Sequence, residues 1–574
     1  MLIFAPVIEK QMYNSKNEKS MTQTNSFVAA ATYGAGTSTT WNGAKSYASI
    51  GTPLLDQFAK AGLYRGRDIN EVFADQSALW ASDVDSALRF PFYLRMITRK
   101  DKSFNGNETE NVQKGQGARD EAFKRLLWIA KYQPEVFYKN LWVLPIVGSW
   151  KDLWVMLSMD DTLKKDVFFK LIAEGINDEY HRDLVKKYLP RIRSNNKCKT
   201  EWAKKTNTLA KEFANFVGWS PVEYRKFKAT GKAHEFQRYI CAGLYDKLNF
   251  NAIPGKALLN LVSGKFLDNH NLNEKYLEWL KQQPVAKFNG YPYELAMKML
   301  PYRGSAWRST TPVPAALKVT LDKQFDNLIA TAKEGNGSIK GNVWCALDTS
   351  GSMTSLVSMS SAVTAFDVCV GLGIYFSTLN EGAFHKNVIM FDDNSEVLQL
   401  HGNFTDMYQQ ITSRRDAMGS TNYQGIIDEI IRIRKENPTL PLEDYPSTLV
   451  VVSDMQFNIS GRLTWYNVNE EFNAVEWETN YETTKRKLSE AFPQEWVDNF
   501  KIVWWHVNGA TKDFPSNMDC GGAYNIAGFD GSVITMLLGG EEKVDPETGK
   551  RVMPTQEELI DKALHQEVLE MLTF

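Results

Sequence analysis

Residues 343–353 read VWCALDTSGSM. Val343 to Leu347 form an apolar run of strand length. Asp348, Ser350 and Ser352 follow it at alternate positions. Alternate residues of a loop can turn to one side, so one carboxylate and two hydroxyls can converge past the strand's end. Hard oxygen ligands of low total charge suit Mg²⁺, with Mn²⁺ or Ca²⁺ as other possible occupants. Taken alone, the same D-x-S-x-S pattern also reads as a turn whose hydroxyls cap the next helix.

Two further stretches favour the metal reading. Thr421 lies in MGSTNYQG (418–425), a glycine-containing loop that opens a helix, and Asp454 directly follows the apolar run TLVVVS (448–453). NVIMF (387–391) and KIVWWHV (501–507) are also of strand length, with helix-length segments at 361–380 and 423–437 between. Strand and helix alternate, which predicts an α/β doubly wound parallel sheet over 336–540. Such sheets bind ligands at the carboxyl ends of their strands. Three loops in the order D-x-S-G-S, Thr, Ser-Asp resemble the metal-ion-dependent adhesion site of the von Willebrand factor type A family, over roughly residues 340–540. GFDGSVITML (528–537) resembles that sheet's last strand-to-helix turn. The resemblance implies that Ser350, Ser352 and Thr421 are direct or water-bridged ligands. Asp348 and Asp454 would coordinate or hold waters, and one metal position would stay open to an acidic group of a protein partner. No base-and-nucleophile pair accompanies them, so metal-assisted hydrolysis is not expected.

Upstream, residues 52–335 read as helical. In GARDEAFKRLLWIAKY (117–132), Phe123, Leu126, Leu127 and Ala130 fall at i, i+3, i+4 and i+7, one apolar helix face. Similar stretches recur at 166–175, 207–219, 255–266 and 292–300, separated by Gly, Pro and Asn. Convincing strand runs are absent, which predicts a HEAT-like solenoid of helical pairs. Residues 1–51, rich in Thr, Ser, Gly, Asn and Ala, read as a flexible or partner-dependent tail. The acidic segment 541–574, with a helix from about Gln556, either packs back on a domain or forms a polar tail.

Several stretches of the helical half are familiar together: 114–156, KYLPRIRS (187–194), GWSPVEYRKF (218–227) and PGKALLNLVSGKF (254–266). A helical solenoid followed by a type A domain resembles the Ro autoantigen, or TROVE-module, family. The likeness is nearer still to a sister group found in plants, fungi, bacteria and viruses. Its glycine-rich helix-start motif corresponds to Gly115, Gly117 and Arg119, with Lys114 where a glycine is usual. Its second motif corresponds to Pro145, Gly148, Trp150 and Asp152. The resemblance implies a solenoid that can close into a ring and bind noncoding or structured RNA.

The chemistry for that is concentrated in one segment. His181 to Lys232 holds 14 Lys or Arg and 4 Asp or Glu, a local charge of 14 − 4 = +10. Tyr188, Trp202, Phe213, Trp219 and Tyr224 interleave. Basic side chains contact phosphates and aromatic rings stack on unpaired bases. Lys186, Lys187, Arg191, Arg193, Lys197 and Lys199 are the RNA-binding candidates. A solvated helix face with core aromatics is the alternative for this segment alone.

Composition bounds the rest. The 574 residues carry a net charge of −2, with 43% hydrophobic and 23% charged residues, ordinary for a soluble multidomain protein. Cys198, Cys241, Cys345, Cys369 and Cys520 are scattered, as in a protein of the cytoplasm. No apolar run has the roughly 20 residues of a membrane span. MLIFAPVIEK (1–10) is too short and too soon acidic for a signal peptide, and Met21 is an alternative initiator. The histidines are scattered without zinc-ligand spacing, and no phosphate-binding G-x-x-x-x-G-K-[ST] loop occurs. Asp392 and Asp393 read as turn-shaping residues or as tuners of the metal site's field, and His506 as structural. The sum is a non-catalytic RNA-binding protein with a Mg²⁺-dependent docking site. The other reading is a metal-dependent protein-interaction scaffold, which in a virus would serve the virion or its assembly.

Overall fold

The computed structural model describes residues 37–64, 66–102, 108–194, 198–230, 235–302, 311–357, 362–414, 419–459, 478–509, 511, 513–538, 543–544, 551–552 and 554–574. Residues 1–36 of the expected tail and Lys197 therefore lie outside the described residues. Residues 37–51 do not behave as a tail. Thr37–Thr39 pairs antiparallel with Lys45–Tyr47, and Tyr47 exchanges two backbone hydrogen bonds of 2.8 Å with Phe514. The anchoring partners sit more than 400 residues away along the chain, for instance Phe457 for Thr40. Local composition cannot reveal such pairing.

From Pro53–Phe58 onward the first half is helical, including α1 (Val84–Arg95), α2 (Arg119–Tyr132), α3 (Trp150–Met159), α4 (Pro292–Met299) and α5 (Ala315–Asn336). In α2 the expected face is buried, with Phe123, Leu126 and Leu127 inside and Ala130 packed against the core, but burial also extends to Ala122, Arg125, Trp128 and Ile129. One hairpin, Ile97–Lys102 against Glu108–Gln116, interrupts the helices, contrary to the expectation of no strands. Its sequence is almost wholly polar, so it lacks the apolar alternation that marks a strand.

The two helical motifs prove to be joints. Gly117 ends the hairpin at φ 58°, where Tyr291 packs so closely that a Cβ would collide with its hydroxyl. Tyr291 in turn donates to the Gln116 carbonyl at 3.4 Å, so the chain of helices returns to its own beginning. In the second motif, Asp152 caps α3 by accepting from Ser149 N at 2.8 Å. The same carboxylate oxygen accepts from Arg95 Nε and Nη2 at 2.9 and 2.6 Å. Both side chains are buried, which locks the end of α1 to the start of α3.

The second half holds a six-stranded sheet: β1 (Val343–Asp348), β2 (Asn387–Phe391), β3 (Ser395–Gln399), β4 (Thr448–Ser453), β5 (Lys501–His506) and β6 (Ala523–Ala527). Their order is β6-β5-β4-β1-β2-β3. Every pairing is parallel except β2 with β3, so the sheet is mixed rather than purely parallel. β3 is the edge strand, with only Leu398 buried, and a short turn from β2 can bring it back only antiparallel. Reading inward from both edges, the order reverses between β1 and β4, the crevice where doubly wound sheets bind ligands.

The halves share one interior. Cys345, Leu347, Val450, Val452, Val503 and Trp505 on one sheet face belong to the same apolar core as the helical half. Trp344, Ala346, Leu449, Val451, Ile502 and Trp504 form a separate core on the other face. Helix α6 (Ala365–Leu379) lies at the junction and is buried almost all round. A Cβ at Gly371 would come within 2.7 Å of Tyr293 N, so glycine lets α4 approach α6.

The C-terminal segment packs back rather than trailing as a polar tail. Helix α7 (Gln556–Leu564) carries buried Leu559, Ile560, Ala563 and Leu564. Beyond it, Arg89 Nη1 donates to Leu569 O at 2.7 Å, and Asn140 pairs with the backbone of Thr573. Among the described residues no helix is long and apolar enough to cross a membrane.

Asp152→Ala would leave Arg95 buried without its counter-charge. Loss of one partner of a buried pair costs about 3–5 kcal/mol. We expect a marked drop in the urea midpoint, and an unchanged midpoint would remove this joint from the account.

Candidate metal centre and basic cavities

The carboxyl ends of β1 and β4 and the loop that opens the helix Gln424–Glu436 supply four buried residues, Asp348, Ser350, Asp454 and Thr421, each at most 2% exposed, with half-buried Ser352 beside them. The loop after β1 folds onto its own carboxylate. Ser350 N donates to Asp348 Oδ1 at 2.9 Å, and the Ser350 and Ser352 hydroxyls lie 3.1 Å apart. Ser352 also donates to the Asp454 carboxylate, which joins the first loop to the third. The Thr421 loop is tied to the first by Gly351 N donating to Gly419 O at 3.1 Å. All five sequence-predicted ligands are therefore at the switch point.

Residues not singled out as ligands support them. Ser453 donates its hydroxyl to Asp348 Oδ2 at 2.5 Å and accepts from Met455 N at 2.9 Å. Asn458 accepts from Thr421 N at 3.2 Å and donates its own N–H to Thr421 O at 2.9 Å. Its position four residues past Asp454 carries no recognisable spacing. Asp393 accepts from Ser420 N and Oγ at 2.9 and 2.6 Å, and Asp392 Oδ1 accepts from Asn394 N at 3.1 Å, so both shape loops. His506 is buried at the end of β5, 3.3 Å from Asn525 Oδ1, and burial pushes its pKa down to about 3. It is a neutral core residue.

The electrostatics fit a cation. Burial, then the charge of Asp454, pushes the Asp348 carboxyl above the usual carboxylate range, and burial pushes Asp454 up as well. Among the described residues no Lys or Arg forms an ion pair with either. Two neighbouring buried carboxylates without a counter-charge are costly, and a divalent ion would remove that cost. Among the described residues no group of three or more His, Cys, Asp or Glu gathers as for zinc. This set of two carboxylates and three hydroxyls is of the hard-oxygen kind.

The basic candidates lie elsewhere and divide. Arg191 and Arg193, both exposed, line two adjoining cavities of about 260 and 680 Å³. Lys187 lines the smaller, with its ammonium 5.1 Å from the Tyr188 ring. Lys186 turns away, 3.7 Å from Asp183 and 4.7 Å from the Phe227 ring. Lys199 is exposed but lines neither cavity. Sequence reasoning missed Lys151, Arg225, Lys228 and Arg238, which complete the lining from other helices. No acidic side chain lines either cavity among the described residues. Of the interleaved aromatics, Phe213 and Tyr224 are core, whereas Trp202 is 49% exposed at the smaller cavity.

The fold and site thus define a class: a helical half joined to an α/β domain with a hydroxyl-and-carboxylate cluster at its switch point. Residues 343–571 match the model of a family described as "Domain of unknown function (DUF7788)". The chain is 20% identical over 547 residues to "Uncharacterized protein L728" of Acanthamoeba polyphaga mimivirus, covering 88% of this chain and 85% of that protein. Among solved structures, the Ro (RSR) protein of Deinococcus radiodurans aligns at a TM-score of 0.42 and 16% identity, over 84% of this chain and 97% of that one.

The buried carboxylates give a signed expectation. In EDTA, Asp454→Asn relieves their repulsion and should leave the urea midpoint equal to or above the parent's. Mg²⁺ should raise the midpoint of the parent only. A variant less stable in EDTA, or equally stabilised by Mg²⁺, would contradict the site's electrostatics.

Proposed function

We propose that this chain is a non-catalytic RNA-binding protein resembling the Ro ribonucleoproteins, with a Mg²⁺-dependent docking site on a von Willebrand factor type A-like domain. The observation that carries the RNA reading is the pair of acid-free cavities. Lys151, Lys187, Arg191, Arg193, Arg225, Lys228 and Arg238 line them. Cations gathered without carboxylates suit a run of phosphates, and exposed Trp202 offers a ring for an unpaired base. A helical chain that returns on itself, through Tyr291 and Gln116, fits the ring architecture of that family.

At the sheet rim, Ser350, Ser352 and Thr421 would hold Mg²⁺ with Asp348 and Asp454. The metal would supply a Lewis-acidic position for a partner's carboxylate. The buried carboxylate pair favours a second reading, a metal-dependent protein scaffold such as a virion or assembly component. In that case the protein would bind its partner through the rim and carry no nucleic acid.

Binding of single-stranded RNA, followed by fluorescence anisotropy across a salt series, separates the two. Each phosphate contact contributes about 0.7 to the log–log salt slope for a single strand. Removal of two contacts by Arg191→Ala with Arg193→Ala should therefore flatten the slope by about 1.4. Charge reversal at both arginines that leaves RNA affinity unchanged, in a protein that purifies free of nucleic acid, would overturn the RNA reading.

A pH dependence follows from Lys228. Its ammonium donates to Lys186 O at 3.1 Å, and burial with the nearby Arg191 charge lowers its pKa to about 8. A bound polyanion favours the charged form, so RNA binding takes up a proton. RNA affinity should then fall as pH rises through about 8. Lys228→Met should flatten that fall, and an unaltered pH profile would take Lys228 out of the interface.

A further inference from the structure

The loop that follows Asp454, and that bonds across to the Thr421 loop, is held from outside the sheet. Gln456 N donates to Asp454 Oδ1 at 3.2 Å, and Asn458 bonds Thr421 through both its side chain and its backbone N–H. Met455 between them takes a left-handed φ of 63°, a conformation that surrounding contacts must maintain. Ser453 and Thr511 hold the start of this loop and Asn480 its end, and the N-terminal hairpin supplies a further set of contacts. Thr40 Oγ1 donates to Phe457 O at 2.8 Å, Trp41 N to Gln456 Oε1 at 2.6 Å, and Asn42 Nδ2 to Gln456 O at 2.5 Å. Asn42 Nδ2 also lies 3.3 Å from Asn458 Oδ1, the atom that accepts from Thr421 N. Gly43 forms a β-bridge with Asn458. Every residue from 456 to 458 is thus gripped by the hairpin's tip.

From this geometry we infer that the hairpin tip, Thr40 to Gly43, is a positioning clamp for the metal site, with Thr40 and Asn42 as its positioning residues. The inference rests on the metal reading of the rim. The clamp lies two bonds removed from the ligands and touches no ion itself. It fixes the spacing of Asp454 and Thr421, which belong to different loops and have no covalent reason to hold one distance. Trp41 contributes only its backbone N–H, and its side chain is 76% exposed.

The test uses the full chain and Mn²⁺ as the probe, with free ion counted by electron paramagnetic resonance. One hydrogen bond is worth about 0.5–1.5 kcal/mol net, so Asn42→Ala should weaken Mn²⁺ binding about threefold to tenfold. Thr40→Val, isosteric but without the donor, should do the same, and Thr40→Ser should restore parent affinity. Trp41→Ala should leave affinity unchanged. Thermal midpoints in EDTA identify any variant that merely unfolds, and the serine rescue is the readout that general destabilisation would not produce. If Asn42→Ala and Thr40→Val bind as the parent does while Asp348→Ala does not bind, the clamp is refuted and the metal site stands. If the parent and Asp348→Ala bind Mn²⁺ alike, the metal reading itself fails, and the clamp with it.

Discussion

Asp348 and Asp454 sit buried at the ends of adjacent central strands, with no basic side chain paired to either among the described residues. That arrangement constrains everything around it. A strand order that reverses between β1 and β4 leaves a crevice there, and three loops fill it with hydroxyls rather than with apolar bulk. Ser453, Asn458 and Asp393 hold those loops by hydrogen bonds to the backbone or to the carboxylate itself. A site so dense in oriented oxygens, and so poor in positive charge, has the chemistry that the proposed divalent cation would complete.

The helical half is bound to this domain as one body rather than appended to it. One sheet face and the helices share a core, α6 is buried by both, and the C-terminal segment crosses back to Arg89 and Asn140. The hairpin at residues 37–47 makes the reverse crossing and ends beside the carboxylate rim. The basic cavities lie among helices of the first half, apart from these junctions. The proposed docking at the rim and the proposed RNA binding at the cavities would therefore use separate surfaces of one molecule.

Much of the sheet domain was legible because buried central strands are continuous apolar runs, and Asp348 and Asp454 each mark where such a run ends. Helix α2 was legible from its 3.6-residue period. The hairpin 97–116 and the ordered segment 37–51 were not, because their pairing depends on tertiary partners and their residues are polar. Of the candidates read from the charge of 181–232, Lys187, Arg191 and Arg193 line the cavities, whereas Lys186 and Lys199 do not. Lys186 points to Asp183, while Lys151 and Arg238 reach the cavities from other helices. Sequence charge reports where cations are, and only the fold reports which way they point.

Asp348, Ser350, Ser352, Thr421 and Asp454 are proposed to hold one divalent ion. Anomalous diffraction from a crystal of the protein grown with Mn²⁺ tests it most directly. One strong manganese peak is expected among these five side chains, within about 2.0–2.3 Å of the nearest oxygens, with its loss in Asp348→Ala. A rim without a peak, or manganese bound only elsewhere, would contradict it.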